Sequence, residues 1–220
     1  MKQARVSRRI VVGGVTALIA ACAMLPPLSV EEAVRRLLRR STERALARLE
    51  APGGAWDRFV AGLDLADGLG VAGLVLQRAL MSPDFHRQLD AWLRPVARRA
   101  ARVAAPRLIA AIKVMGIANA RAVLAGGPRA ATQLLRSELG PAVIEAMFPE
   151  FRAALHSLDD PLLRPVIAAL AALGGDALAR KLARHANDAL WDAIGDEEAG
   201  LRADPSAGGD PQLAPYLARP

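Results

Sequence analysis

A chain of 220 residues with 53% apolar and 4% aromatic side chains has enough buriable surface for a core, and its Ala- and Leu-rich composition favours helix over strand. The formal charge of +7 is concentrated at the start, where Lys2, Arg5, Arg8 and Arg9 stand with no acid; beyond them basic and acidic residues nearly balance, and no aromatic stacking pattern accompanies them, so nucleic acid is not an expected partner. The single cysteine, Cys22, excludes an internal disulfide.

Residues 1–9 form a basic n-region. Residues 10–21 are an apolar run too short to span ~30 Å of hydrocarbon as a helix, but suited to the core of a secretory signal. The run ends Leu18-Ile19-Ala20-Ala21-Cys22, which resembles a bacterial lipobox. In such signals the thiol receives a diacylglycerol, the chain is cut before it, and the new amine is acylated. Cys22 then becomes the mature N-terminus, and several acyl chains anchor it stably. Ser7-Arg8-Arg9-Ile10-Val11-Val12 resembles a twin-arginine export signal, with Val11 in place of the usual Phe. An ordinary secretion n-region holding two arginines is the alternative. Pro26-Pro27 argues against an uncleaved anchor helix. Ala23 is not the Asp that retains enteric lipoproteins at the inner membrane, which favours the outer membrane. The expected division is a signal over 1–21, a tether over 22–28 and a helical domain over 29–217.

Ser29-Val30-Glu31-Glu32 is a capping box, and the apolar spacing after it predicts a helix over 30–49. Arg35, Arg36, Arg39 and Arg40 fall mostly off its apolar stripe; a solvated face is the expected reading, and contact with anionic lipid the alternative. Ala51-Pro52-Gly53-Gly54 is a loop, followed by a short helix or turn at Trp56, Phe59, Val60 and Leu63. Residues 71–80 are expected to be helical. Ser82-Pro83-Asp84 opens another helix, which Pro95 and Pro106 are expected to kink or break. At mid-chain, Gly126-Gly127-Pro128 predicts a tight corner: a left-handed Gly closing one helix and Pro128 at the first position of the next. Gly140-Pro141 reads as a new start and Pro149 as a local irregularity. Asp159-Asp160-Pro161 is a turn and cap. Residues 162–173 are almost wholly apolar and predict a central buried helix. Asp176 is expected to cap the last long helix, which runs to about residue 203. A flexible link over 206–210 and a short terminal piece over 211–217 follow. No stretch alternates long enough to predict a strand. The expected fold is all-α, one domain of about seven to nine helices, with no fixed-period repeat.

Candidate chemistry is sparse. His185, Asp188 and Asp192 share one helix face and could form part of a metal or acid–base site, but no second cluster completes them, so a polar outer face is expected. Glu198 and Arg202 are an i, i+4 pair, as are Thr132 and Arg136. A structural role is expected over a catalytic one, a buried Arg–Glu link between their helices being one form it could take, since no nucleophile or metal ligand stands with them. Gly126-Gly127-Pro128 has neither the spacing nor the Lys of a phosphate loop.

Several of these residues also carry a resemblance. Leu124-Ala125-Gly126-Gly127, Ala130-Ala131-Thr132 and Arg136 are followed by Phe148-Pro149 and Ala189-Leu190-Trp191. Glu197-Glu198, Arg202 and Asp204-Pro205 complete the series. In order and spacing, the chain resembles a proteobacterial domain-of-unknown-function family, DUF4197. The resemblance implies an exported helical protein without an agreed activity. The chain departs from the pattern at Gly116, Asn119 and Leu134, where the family tends to have Ser or Thr, Asp, and an aromatic ring. The function expected is a non-enzymatic envelope lipoprotein, held in a membrane by its lipid anchor, using no cofactor and contacting envelope proteins or lipids. A periplasmic carrier for an apolar ligand is the alternative, and a hydrolase or metal enzyme using the acidic last helix the third reading.

Overall fold

Helix α1 (Val30–Arg48) begins where the capping box predicts, with the Ser29 hydroxyl accepting the Glu32 N–H at 3.1 Å. In this computed structural model the described residues are 27–49, 51–52, 54–61, 63, 65, 82–172 and 174–218. The expected signal with Arg8 and Arg9, the lipidation residue Cys22 and the expected helix over 71–80 lie outside them. Among the described residues seven further α-helices follow: α2 (Ala55–Ala61), α3 (Pro83–Val114), α4 (Ala120–Ala125), α5 (Ala130–His156), α6 (Leu163–Ala172), α7 (Gly175–Ala203) and α8 (Ala214–Leu217). A 3-10 turn, Pro205–Gly208, separates the last two. Among the described residues there is no strand, and the fold is all-α in one domain, as composition and periodicity predict.

The hub is α7. It packs against α1, α2, α5 and α6, and α5 in turn packs against α3. Because neighbours surround it, α7 buries much more than one stripe, including Leu182, Leu190, Trp191 and Ile194. Trp191 keeps its indole N–H satisfied inside the core by donating to the Asn187 side-chain carbonyl at 2.8 Å. Trp56 and Phe59 of α2 fill the space between helices, edge to face at 5.9 Å, and Phe59 also meets Phe151 at 6.4 Å. Arg94 joins α2 to α3 through Asp57 at 2.6 Å and Asp90 at 2.7 Å. Those hydrogen bonds, to Asp57 first and then Asp90, raise its pKa further above an already high value.

Four prolines do not interrupt the helices as expected. Pro95 and Pro106 lie inside an unbroken α3, and Pro141 and Pro149 inside an unbroken α5, so Gly140-Pro141 is not a new start. All four are exposed. On the solvent face the carbonyl deprived of its N–H partner is open to water, and a helix curving around a core has its longest hydrogen bonds there.

The apolar run at 162–173 is not the central helix. As α6 it buries only Leu163, Ile167 and Leu170, while Leu162 remains 45% exposed. Its length and composition looked central, but much of that apolar surface is alanine, which sits on a solvent face at little cost. Two local expectations also shift. Helix α7 starts at Gly175 after a strained Gly174 (φ 145°), so Asp176 lies in the first turn and does not cap it. The stretch expected as a flexible link overlaps the 3-10 turn, and the tail beyond it folds back: Leu213 and Leu217 are buried, Arg36 donates to the Gln212 side chain at 2.9 Å, and the Tyr216 hydroxyl donates to the Leu28 carbonyl.

These placements predict unequal costs for two leucine truncations. Leu190→Ala in α7 should lower the unfolding free energy by about 2–5 kcal/mol, and Leu162→Ala beside α6 by less than about 0.5 kcal/mol, measured by urea denaturation followed by circular dichroism.

Candidate functional site

The corner between α4 and α5 concentrates the unpaired backbone groups of two helix ends. Helix α4 has six residues, so its last carbonyls have no partners within it, and the first amides of α5 are equally unpaired. The glycines do not close α4 in the expected way. Gly126 is extended (φ −73°, ψ −175°), and among the described residues only Gly174 and Gly209 are glycines of positive φ. Pro128 does not open α5 either; it lies in a turn closed by the Ala130 N–H on the Gly127 carbonyl at 3.1 Å.

The closure comes from α7. Glu198 is fully buried and accepts four hydrogen bonds. Three come from the start of α5: the Ala131 N–H at 3.0 Å, the Thr132 N–H at 2.6 Å and the Thr132 hydroxyl at 2.7 Å. The fourth is from Arg202 Nε at 2.8 Å. Arg202 then donates to the Leu124 carbonyl at 2.8 Å and the Val123 carbonyl at 3.1 Å, at the end of α4. An acid thus caps the positive end of one helix and a cation the negative end of another, both in favourable senses. Glu198 serves α5 as an N-cap supplied from a different helix, because the N-cap residue Arg129 makes no side-chain cap bond.

Two neighbours of Glu198 extend the pattern. Asp196 pairs with Arg129 of the corner and, at 3.1 Å, with Arg58 of α2. Glu197 accepts from Arg44 at 2.7 Å and Arg48 at 2.9 Å, both on α1. Successive helical residues project about 100° apart, so Asp196-Glu197-Glu198 reaches three different elements from one turn. Gly195 admits the corner: a Cβ there would meet Arg129 Cδ at 2.9 Å. The basic face of α1 is therefore not simply solvated. Arg44 and Arg48 bind α7, Arg36 the tail, and Arg35 the Met115 carbonyl at 3.1 Å as well as Glu31 and Glu32.

The remaining candidates disperse. Arg136 does not pair with Thr132; its guanidinium meets Asp188 at 2.6 Å on the surface. His185 lies against Phe59 with ring centroids 5.5 Å apart, and Asp192 is exposed. Among the described residues, no three His, Cys, Asp or Glu side chains converge as metal ligands. Asn119, in the left-handed conformation (φ 59°), makes no side-chain cap bond to α4. Sequence spacing exposed the Glu198–Arg202 pair; Asp196, Arg44, Arg48 and Arg58 were missed, because their partners stand on other helices and no local period marks them.

The family model described as "Protein of unknown function (DUF4197)" matches residues 25–214, and the chain belongs to that family. No curated protein and no solved structure matches it. The residues that carried the resemblance at Leu124–Gly127, Thr132, Glu198 and Arg202 meet at this one corner.

Two outcomes follow from the corner geometry. Glu198→Ala leaves two helix-start amides without partners and a largely buried guanidinium without its counter-ion, and should cost about 3–5 kcal/mol; Glu197→Ala, whose arginines can turn to water, should cost about 1 kcal/mol or less, both read from urea unfolding. A Cβ at Gly126 would meet Ala130 Cβ at 2.7 Å, whereas one at Gly127 meets nothing within 4 Å. Gly126→Ala should therefore lower stability by about 1–3 kcal/mol and Gly127→Ala change it by less than about 1 kcal/mol, compared by thermal melts.

Proposed function

We propose that this protein is a non-enzymatic lipoprotein of the bacterial cell envelope, tethered through Cys22 on the periplasmic side, whose helical body acts by binding. The observation that carries the preference for binding over catalysis is the state of Asp196, Glu197 and Glu198. Each carboxylate is held in ion pairs or helix caps that join elements of the fold. A fully buried carboxylate with four donors has no lone pair turned toward a substrate. The acidic last helix thus gives the hydrolase reading no support.

Attachment rests on the lipobox-like Leu18-Ile19-Ala20-Ala21-Cys22 and the basic n-region before it, with Arg8-Arg9 directing export by the twin-arginine route or standing in an ordinary secretion signal. Among the described residues no helix is long and apolar enough to cross a membrane. A tether over 22–28 can reach at most roughly 20 Å, so Leu28, which receives the Tyr216 hydroxyl, would keep the helical body close to the bilayer. Ala23 after the cysteine favours the outer membrane. The second reading, a carrier for an apolar ligand, draws support from a largely apolar groove of about 750 Å³ between α1 and α3.

Anchoring is tested by intact mass and fractionation of protein from an expressing bacterium, beside Cys22→Ser. The wild type should begin at Cys22, carry acyl mass and sediment with membranes, and the variant should do none of these. A soluble wild type, or one retaining residues 1–21, would overturn the lipoprotein reading.

A further inference from the structure

The groove between α1 and α3 combines three features. Its floor is apolar, formed by Leu46 and Leu49 from the end of α1 and by Ile109 and Val114 of α3. Ala101 and Ala105 line it with small side chains, and Val114 stands 83% exposed at one end. Its charged members are all basic: Arg98, Arg102 and Lys113. Residues 91–137 contain no Asp or Glu, so α3 brings no acid to this face. Arg94 and Arg99 of the same helix are paired, with Asp57 and Asp90 and with Glu150. Arg102 and Lys113 are exposed and have no ion-pair partner among the described residues.

We infer that this groove binds a single-chain anionic amphiphile of the fatty-carboxylate class, with the chain on the floor from Leu49 to Val114 and the carboxylate on Arg102. The volume of about 750 Å³ suits a small ligand and is too small for a docked helix. Arg98 and Lys113 fall fifteen residues apart on α3, about 22 Å along its axis, which gives an extended chain a track. The guanidinium fork of Arg102 matches a carboxylate in two parallel hydrogen bonds, while the Lys113 stem covers chain methylenes and keeps its ammonium in water. This inference deepens the binding reading above and is independent of the anchor.

The test is equilibrium binding to the full chain bearing Cys22→Ser, which carries no acyl chains of its own. The probe is a fluorescent fatty carboxylate, competed with octanoate, laurate, palmitate and hexadecanol, and with vesicles of anionic phospholipid. Saturable binding is expected, tightening about three- to fourfold per added methylene until the floor is covered. Hexadecanol should bind about tenfold more weakly than palmitate, and Arg102→Gln should remove that difference by weakening palmitate about tenfold. Lys113→Gln should change palmitate binding by less than about threefold, and Ile109→Glu should abolish it, each with an unchanged helical circular dichroism spectrum. Binding that ignores Arg102→Gln and Ile109→Glu would overturn the assignment. So would displacement by vesicles alone, which would make this face a bilayer contact, or the lack of saturation below the micelle concentration of palmitate. Failure of anchoring in the mass measurement would leave these outcomes unaffected, so the two readings fail separately.

Discussion

Where two helices meet at a short corner, the unpaired carbonyls of one and the unpaired amides of the other come together, and something must bond to both sets. In this protein a single turn of α7 does so. Glu198 receives the amides at the start of α5, Arg202 donates to the carbonyls at the end of α4, and the two bond each other between them. A buried ion pair carries a large desolvation cost, and it is sustained only when its remaining hydrogen-bonding groups are satisfied. Here the carboxylate has backbone, hydroxyl and guanidinium donors at once. The corner in turn sets how α5 lies on α7, the interface from which the core grows outward to α1, α2 and α3.

The same turn of α7 distributes its acids by helical geometry. Asp196 reaches the corner and α2, Glu197 reaches α1, and Glu198 reaches α5. The pairs of Asp196 and Glu197 reach solvent through their arginines, and pairs of that kind contribute little each, so they act more on register than on stability. Stability comes from the apolar interior, where Leu190, Ile194, Leu37 and Leu135 are fully buried. Small residues on α7, among them Ala179, Ala183 and Ala186, let neighbouring backbones approach closely. The solvent-facing prolines fit the same economy: they occupy positions where a missing N–H leaves a carbonyl to water and not to the core.

The proposed function rests on what this scaffold leaves unused. The polar residues with the strongest local pattern are committed to joining helices, and the groove between α1 and α3 has an apolar floor with Arg102 and Lys113 exposed at its edge. A chain tethered just ahead of Leu28 would hold α1, and hence this groove, near a membrane surface. On the proposed reading, binding of an amphiphile and attachment by acyl chains would be separate uses of the same apolar driving force.

Local chemistry determined much of what could be known in advance. Ser29, Ser82 and Asp160 cap helices through bonds to amides two or three residues away, and the spacing of Ala33, Val34, Leu37 and Leu38 marks a buried stripe without reference to any other element. The all-α class, the ends of α1, the C-terminal end of α7, and the i, i+4 relation of Glu198 to Arg202 are legible for that reason. What only the tertiary structure decided involves partners far away in the chain. Glu198 meets Thr132 across 66 residues and Arg202 meets Val123 across 79, so no window of sequence shows that these side chains, and not a left-handed glycine, close the corner. The run at 162–173 looked central because apolar content was read without knowing which helices surround it; α7, with more charge but more neighbours, holds that place. Pro95, Pro106, Pro141 and Pro149 looked like breaks because a proline's cost depends on whether its orphaned carbonyl faces water, and the direction of that face is set by packing.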